Sequence, residues 1–312
     1  MEDVTIIIKA FLRQNCVIRL LKSILKFAPK CPIIIFDDGN NANQNKKQII
    51  DMFANILNIK YIVSEEENVG LSKGRNVLVD NVQTKYFVLC DDDFIFFKQT
   101  NIILAKRLLE QSNYDILGGL CLHAYRINYG TRFQNIELFF RKLQKLFYHY
   151  RKVGYKGRID INGEEVEIVI DKLDYARKEI YNTDICENFF IAKTKVVRNI
   201  RWTDKLKMNE HEDFFIKAKK ANVKIGVTSL FKVYHFPETN RKFKSIRDKT
   251  YFYDVLYNNN LKRLKVYRNN VGIIQEYKIG KQNSTSQQYT NNLLGKSKKL
   301  YYKLTRRKNE KK

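Results

Sequence analysis

The chain has 312 residues, 44% apolar and 13% aromatic, enough for one large domain or two small ones and incompatible with disorder as a description of the whole. Its 58 lysines and arginines against 33 acids give a formal charge of +25, and no apolar run has the length of a membrane-spanning helix. Five scattered cysteines (Cys16, Cys31, Cys90, Cys121, Cys186) lack a CxxC spacing, and four histidines form neither HxH nor HExxH, which argues for free buried thiols and against a zinc site.

The elements alternate from the start. Val4–Ile8 reads as a strand and Arg13–Phe27 as a helix with apolar Ile18, Leu21 and Leu25 on one side, ended by Pro29 and Pro32. Ile33–Phe36 reads as a strand running into the turn Asp37-Asp38-Gly39-Asn40, Gln48–Leu57 as a helix, and Lys60–Val63 as a strand. After the Asn68-Val69-Gly70 turn, Leu71–Asn81 reads as a helix, and Tyr86–Cys90 as a strand that meets Asp91-Asp92-Asp93. Such alternation predicts an α/β fold with a mostly parallel sheet flanked by helices, whose ligands sit beyond the carboxyl ends of the strands. Both acidic clusters fall there.

The middle breaks the pattern. Arg158–Ile161 and Glu164–Ile170 flank Asn162-Gly163, a two-residue hairpin signal, predicting a β-hairpin excursion over one side of the core. Phe189–Ala192, a helix around Phe214–Ala221 and the strand Lys224–Val227 resume the α/β style. Residues 282–292 are rich in Ser, Thr, Gln and Asn and read as a linker; residues 293–312 are basic with interleaved Leu and Tyr.

Three adjacent carboxylates at the end of an apolar strand repel one another unless a cation compensates. Mg²⁺ or Mn²⁺ suits such a site, since both prefer carboxylate oxygen and leave positions open for phosphates. In an extended segment Asp91 and Asp93 face one side and Asp92 the other. A solvated acidic turn is the competing explanation.

Taken in order, Lys9-Ala-Phe-Leu-Arg13, Ile33–Gly39, Gly74-Arg75-Asn76, Asp91-Asp92-Asp93-Phe94, Asn188-Phe-Phe-Ile-Ala192 and Glu210-His-Glu-Asp-Phe-Phe215 resemble the GT-A nucleotide-sugar transferases of the family 2 type. In motif pattern they are closest to the ganglioside-type β-1,4-N-acetylgalactosaminyltransferases, over roughly Val4 to Pro237. The resemblance implies a GT-A, Rossmann-like fold. Residues 1–115 would form its nucleotide-sugar half and 116–240 the acceptor-binding and catalytic half; 241–312, outside the resemblance, would be a basic C-terminal extension. It implies a UDP-sugar donor, with Asp38 against the uracil, Lys9 and Phe11 lining the base pocket, Arg75 at the phosphates or base, and Asp91 and Asp92 among the donor contacts. Asp93, Asp91 and the late histidine His235 would ligate Mn²⁺ or Mg²⁺. Asp213 would be the general base of an inverting displacement, with Glu212 as the alternative. Trp202, Asn188 and His211 would fall on the acceptor side; Gly118-Gly119 either lets backbone approach a sugar or makes a plain turn.

The expected product is a sugar, N-acetylhexosamine or hexose, on a hydroxyl of a glycan or lipid-linked acceptor in surface polysaccharide or lipooligosaccharide synthesis. The N-terminus carries Glu2 and Asp3 where a signal peptide carries bases, so the expected setting is cytoplasmic or peripheral on the inner face of the cell membrane. From Arg241 onward 20 bases face 4 acids, and this tail is expected to meet an anionic membrane surface. The charge alone also suggests a nucleic-acid-binding protein, but no recognition motif supports it, so no nucleic acid is expected. A non-catalytic glycan-binding relative is the remaining alternative.

Overall fold

A computed structural model describes residues 3–126, 148–173, 179–237, 252–268 and 272–278. Seven strands and helices open the chain in the expected alternation: β1 Val4–Ala10, α1 Gln14–Phe27, β2 Ile33–Asp37, α2 Ala42–Phe53, β3 Ile59–Val63, α3 Leu71–Asn81 and β4 Tyr86–Asp91. Then follow β5 Phe94–Ile95, α4 Ile102–Glu110, β6 Ile116–Arg126, β7 Tyr148–Val153, β8 Tyr155–Asn162, β9 Glu165–Lys172 and β10 Ile180–Thr183. The remainder comprises β11 Phe190–Lys193, α5 Thr194–Ile200, α6 Glu210–Lys220, β12 Ile225–His235, α7 Phe252–Asn258, β13 Arg263–Arg268 and β14 Gly272–Lys278.

The large sheet runs β10-β12-β6-β11-β4-β1-β2-β3, with β5 on β12 and β7 on β6. Strands β1 to β4 are parallel, whereas β11 runs antiparallel to both β4 and β6. Side chains alternate across β1: Ile6 and Ile8 pack with Leu20 and Ile24 of α1, and Ile7 packs on the other face with Leu78 and Val79 of α3. Burial on both faces explains why these strands read as unbroken apolar runs. The second helix starts earlier than expected, at Ala42.

Gly163, at φ +58°, closes the expected hairpin between β8 and β9. The basic segment after Arg241 is partly built into the fold. Strand β13 pairs in parallel with β9, and β14 with β13, so the hairpin belongs to a second sheet ordered β14-β13-β9-β8. Val255, Leu256, Leu261, Leu264 and Val266 are buried in the same core as Trp202 and Phe214. Burying side chains of this size contributes about 1.5–3 kcal/mol each, so the five together rival the roughly 5–15 kcal/mol net stability of a whole domain. A chain ending at Asn240 is therefore expected to lose its cooperative thermal transition; an unchanged melting temperature would contradict this packing.

The contact pattern divides the chain between Ile279 and Gly280, and every described residue belongs to the first unit. The expected linker at 282–292 and the basic end at 293–312 lie outside the described residues. Among the described residues no helix is long and apolar enough to cross a membrane, and all five cysteines are free and buried.

Candidate active site

Parallel pairing brings the carboxyl ends of β1, β2 and β4 level, with Lys9 against Asp91 and Ala10 against Asp37. Lys9 and Asp38 form a buried ion pair there; Lys9 also donates to the Ala10 carbonyl (3.0 Å), and the Gly70 amide donates to Asp38 Oδ2 at 3.2 Å. Lys9 Nζ lies 5.5 Å from the Phe11 ring centre and 5.7 Å from that of Phe36. The three residues expected at the base pocket, Lys9, Phe11 and Asp38, are thus neighbours. Asp38, however, spends both oxygens within the protein rather than presenting one outward. Asp37 takes the capping role, accepting from Gly39 N, Asn45 Nδ2 and Tyr61 O–H at 2.8–2.9 Å.

Gly70 explains how α3 reaches the site. Its φ of +97° disfavours any side chain, and a Cβ would lie 2.7 Å from Lys207 Cα. The close approach seats α3 against the segment before α6. Arg75, almost fully buried on α3, then bridges two carboxylates: Nη1 donates to Glu210 Oε1 at 2.6 Å and Nη2 to Asp91 Oδ1 at 3.2 Å. Of the acidic triplet, Asp91 alone has a substantially exposed side chain (31%).

Asp92 and Asp93 share Arg13, the last residue of the Lys9–Arg13 motif, for which no role was expected. Its guanidinium grips Asp92 by two nitrogens and donates from Nη1 to Asp93 Oδ2 at 2.7 Å. The expected alternation fails because the strand ends at Asp91, and the next two carboxylates turn onto one arginine. Asp92, expected among the donor contacts, is instead sealed behind Arg13; burial pushes its carboxyl up to about 7, with Arg13 pulling the other way. Burial also works to raise Asp93, but His235 and Arg13 outweigh it and hold Asp93 below the usual carboxylate range. Among the described residues the one group facing Asp93 Oδ1 is His235, whose Nε2 lies 3.3 Å away in a poorly aligned ion pair. His235 Nδ1 is 3.4 Å from His123 Nε2, since the two histidines pair across β12 and β6.

Asp213, expected as the general base, has both carboxylate oxygens hydrogen-bonded within the protein. It is fully buried; Thr203 donates to Oδ2 and Asn259 to Oδ1, each at 2.7 Å. Both oxygens are spent on tying α6 to the preceding loop and to the end of α7. Glu212, one residue earlier and half-buried, differs: burial above all, with Glu210 adding and a backbone hydrogen bond opposing, pushes its carboxyl up to about 7. Trp202 is a core residue, stacked on Phe214 (4.4 Å, 17°) beneath Arg75, and not a sugar-facing wall. Gly118 and Gly119 admit Cys186 and Phe189, which would lie 2.6 Å from an added Cβ, so protein fills the space foreseen for a sugar. His211 and Asn188 do meet, Nδ1 to Oδ1 at 2.7 Å, and Tyr155, unforeseen, completes the group at 2.8 Å from His211 Nε2.

The chain is similar to known proteins in sequence and in fold. The model of glycosyl transferase family 2 matches residues 5–182, more than half of the chain. β-1,4 N-acetylgalactosaminyltransferase 1 of Homo sapiens is 26% identical over 220 residues, covering 68% of this chain and 35% of that protein; β-1,4 N-acetylgalactosaminyltransferase 2 of Mus musculus is 26% identical over 213 residues with the same coverage. This chain therefore spans about a third of the length of these relatives. In fold it is similar to S. aureus TarS 1–349 in complex with UDP-GlcNAc (TM-score 0.55, 18% identity, 82% of this chain and 64% of that one). The large sheet, the acidic strand tip and the matched sequence lead to one conclusion: the chain belongs to glycosyl transferase family 2 and has the GT-A fold.

Proposed function

We propose that this enzyme moves a sugar from a UDP-sugar to a hydroxyl of a glycan or lipid-linked acceptor, with inversion at the anomeric carbon. The observation that carries the reading is the Arg75 bridge, which joins Asp91 at the tip of β4 to Glu210 at the start of α6. It sets a donor-binding edge beside a helix that offers a carboxylate of suitable basicity. The likeness to TarS bound to UDP-GlcNAc and to the N-acetylgalactosaminyltransferases supports a UDP-sugar donor.

A divalent ion fits the residues present. Asp93 Oδ1 and His235 Nε2, 3.3 Å apart, are spaced close to the roughly 3 Å expected of neighbouring ligands about 2.1 Å from one Mg²⁺ ion. Among the described residues no group of three or more His, Cys, Asp or Glu is gathered for an ion. Two protein ligands suffice for Mg²⁺ or Mn²⁺, which take the rest from phosphate oxygen and water. Such an ion supplies charge neutralisation for the departing diphosphate. Asp91 remains the exposed carboxylate at the strand tip, suited to the ribose or to the same ion.

Glu212 then takes the proton from the acceptor hydroxyl as that oxygen attacks. A carboxylate near neutrality is best placed for this, being at least half ionised and adequately basic at pH 7–8. Lys9 and Phe11 bound the nucleotide end, and Arg13 holds Asp92 and Asp93 so that Asp93 offers Oδ1 alone.

A panel of UDP-hexoses and UDP-N-acetylhexosamines, scored for UDP release with Mn²⁺, Mg²⁺ or EDTA, tests the reading. Ion-dependent release is expected. Tight binding of random DNA with no response to any UDP-sugar would instead favour the nucleic-acid alternative. Docking of the basic end on anionic membrane is tested separately by sedimentation with anionic vesicles, using a chain cut after Ile279, which keeps α7, β13 and β14. Undiminished binding by that shortened chain would sink the membrane role of residues 280–312.

A further inference from the structure

Helix α7 carries a surface that packing does not account for. Val255, Leu256 and Asn259 are its buried side, and Asn259 ties the helix to Asp213 in the first turn of α6. Tyr253 and Tyr257, one helical turn apart, stay outside and are 61% and 79% exposed. Tyr277 of β14 stands beside them, its ring edge-on to that of Tyr253 at 6.4 Å and 83°. Exposed apolar side chains that stand singly are ordinary, whereas a contiguous aromatic group marks a contact site.

We propose that Tyr253, Tyr257 and Tyr277 form an acceptor subsite, an aromatic platform on which inner sugar rings of an oligosaccharide stack while its terminal hydroxyl reaches Glu212. The proposal rests on the transferase reading above and adds to it the class of acceptor: a glycan of two or more sugars, whatever carries it.

The platform adjoins the base through three contacts. Asn259 fastens α7 to Asp213, the immediate neighbour of Glu212. Helix α7 also packs against both α6 and β14, which brings Tyr277 alongside. Tyr277 in turn is the link between the carboxylate and the exposed pair: burial first, then Glu212, then Tyr253 push its phenol up to about 12. The row therefore runs outward from Glu212 through Tyr277 and Tyr253 to Tyr257. It lies beyond residues 5–182, the part that matches the family.

Its chemistry selects a sugar over a lipid surface. Residues 251–261 contain no lysine or arginine, although bases dominate the chain after Arg241. The ridge beside the tyrosines carries Asp254 and Asn258, both exposed and again one turn apart. A carboxylate there opposes an anionic headgroup. A hexopyranose suits the same surface. Its axial C–H groups give it an apolar face that lies flat on a phenol ring, and the hydroxyls at its rim donate to a carboxylate or accept from an amide. Tyrosine supplies such contact area at little loss of side-chain freedom.

A microarray of neutral and anionic glycans of one to six sugars, probed with the full chain in UDP and Mn²⁺, tests this, with retained glycans then titrated by calorimetry. The wild type is expected to bind a glycan of two or more sugars, and the terminal monosaccharide of that glycan at least about tenfold more weakly. Tyr253→Ala and Tyr257→Ala should each weaken the glycan about tenfold, whereas Tyr257→Phe, which keeps the ring, should stay within about twofold. Tyr257 is exposed, so its alanine variant should keep the wild-type melting temperature. Glycan affinity unaltered in both alanine variants would overturn the platform. So would a wild type that binds UDP but no glycan, including one whose tyrosines instead prove necessary for sedimentation with phosphatidylglycerol vesicles. A wild type that binds neither UDP nor glycan would bring down the UDP-sugar reading itself and the platform with it.

Discussion

Replacing Glu212 by Gln is expected to lower kcat by about a hundred- to ten-thousand-fold, the usual contribution of a positioned base, while UDP binding persists. The amide keeps the shape of the side chain and removes its basicity. The stability effect has the opposite sign. In the folded protein the carboxyl is raised from 4.5 to about 7, so the native state binds its proton more tightly than the unfolded chain does. Stability contributed by the neutral form is present at low pH and lost as pH rises through about 7. The Gln variant escapes that loss and should melt higher than the wild type at pH 8. Asp213→Asn should do the reverse. The amide keeps one acceptor oxygen where Asp213 offers two, so the hydrogen bond from Asn259 or that from Thr203 is lost or reversed, which should cost about 1–3 kcal/mol, seen as a lower melting temperature. A variant at Asp213 that folds normally yet has lost transfer would return the base role to that residue.

Asp93→Asn is expected to abolish the strengthening of UDP binding by Mn²⁺. The carboxylate oxygen that faces His235 is the charged ligand of the proposed ion, and without it roughly 3 kcal/mol of ion-dependent affinity, about 100-fold, should disappear. Binding of UDP in EDTA should change little, which separates loss of the ion from general damage to the cleft. Arg13 retains both contacts to Asp92 in this variant, so the β4 tip stays anchored. Persistence of the Mn²⁺ effect would remove Asp93 from the ligand set.

Much of this was legible in the chain because it is local. The apolar runs of β1 and β2 alternate with helices at short range, and α3 falls on its expected residues, Leu71–Asn81. Asn162-Gly163 announces its turn by backbone preference alone. What was not legible depends on partners far apart in sequence. Arg13 meets its aspartates across 79 and 80 residues, and Arg75 meets Glu210 across 135. No periodicity marks such pairs. Lone arginines look like surface charges until the fold buries them.

The base assignment shows the same limit from the other side. Glu212 and Asp213 are neighbours with equivalent chemistry on paper. They are separated by Thr203 and by Asn259, which arrives from a segment read as an appendage. The parallel pairing of β13 with β9 joins strands about a hundred residues apart, and a basic, tyrosine-rich stretch gave no sign that it completes the second sheet.

The central claim is that a carboxyl on the first turn of α6, tuned by burial, draws the proton from the acceptor. The direct measurement is the initial rate of sugar transfer from pH 5.5 to 9 at saturating UDP-sugar and Mn²⁺, in the wild type and in Glu212→Gln. The account predicts a wild-type rate that rises with pH, with a midpoint near 7, and a small residual rate in the variant with no such rise. A variant that keeps both the wild-type rate and its ascending limb would contradict it.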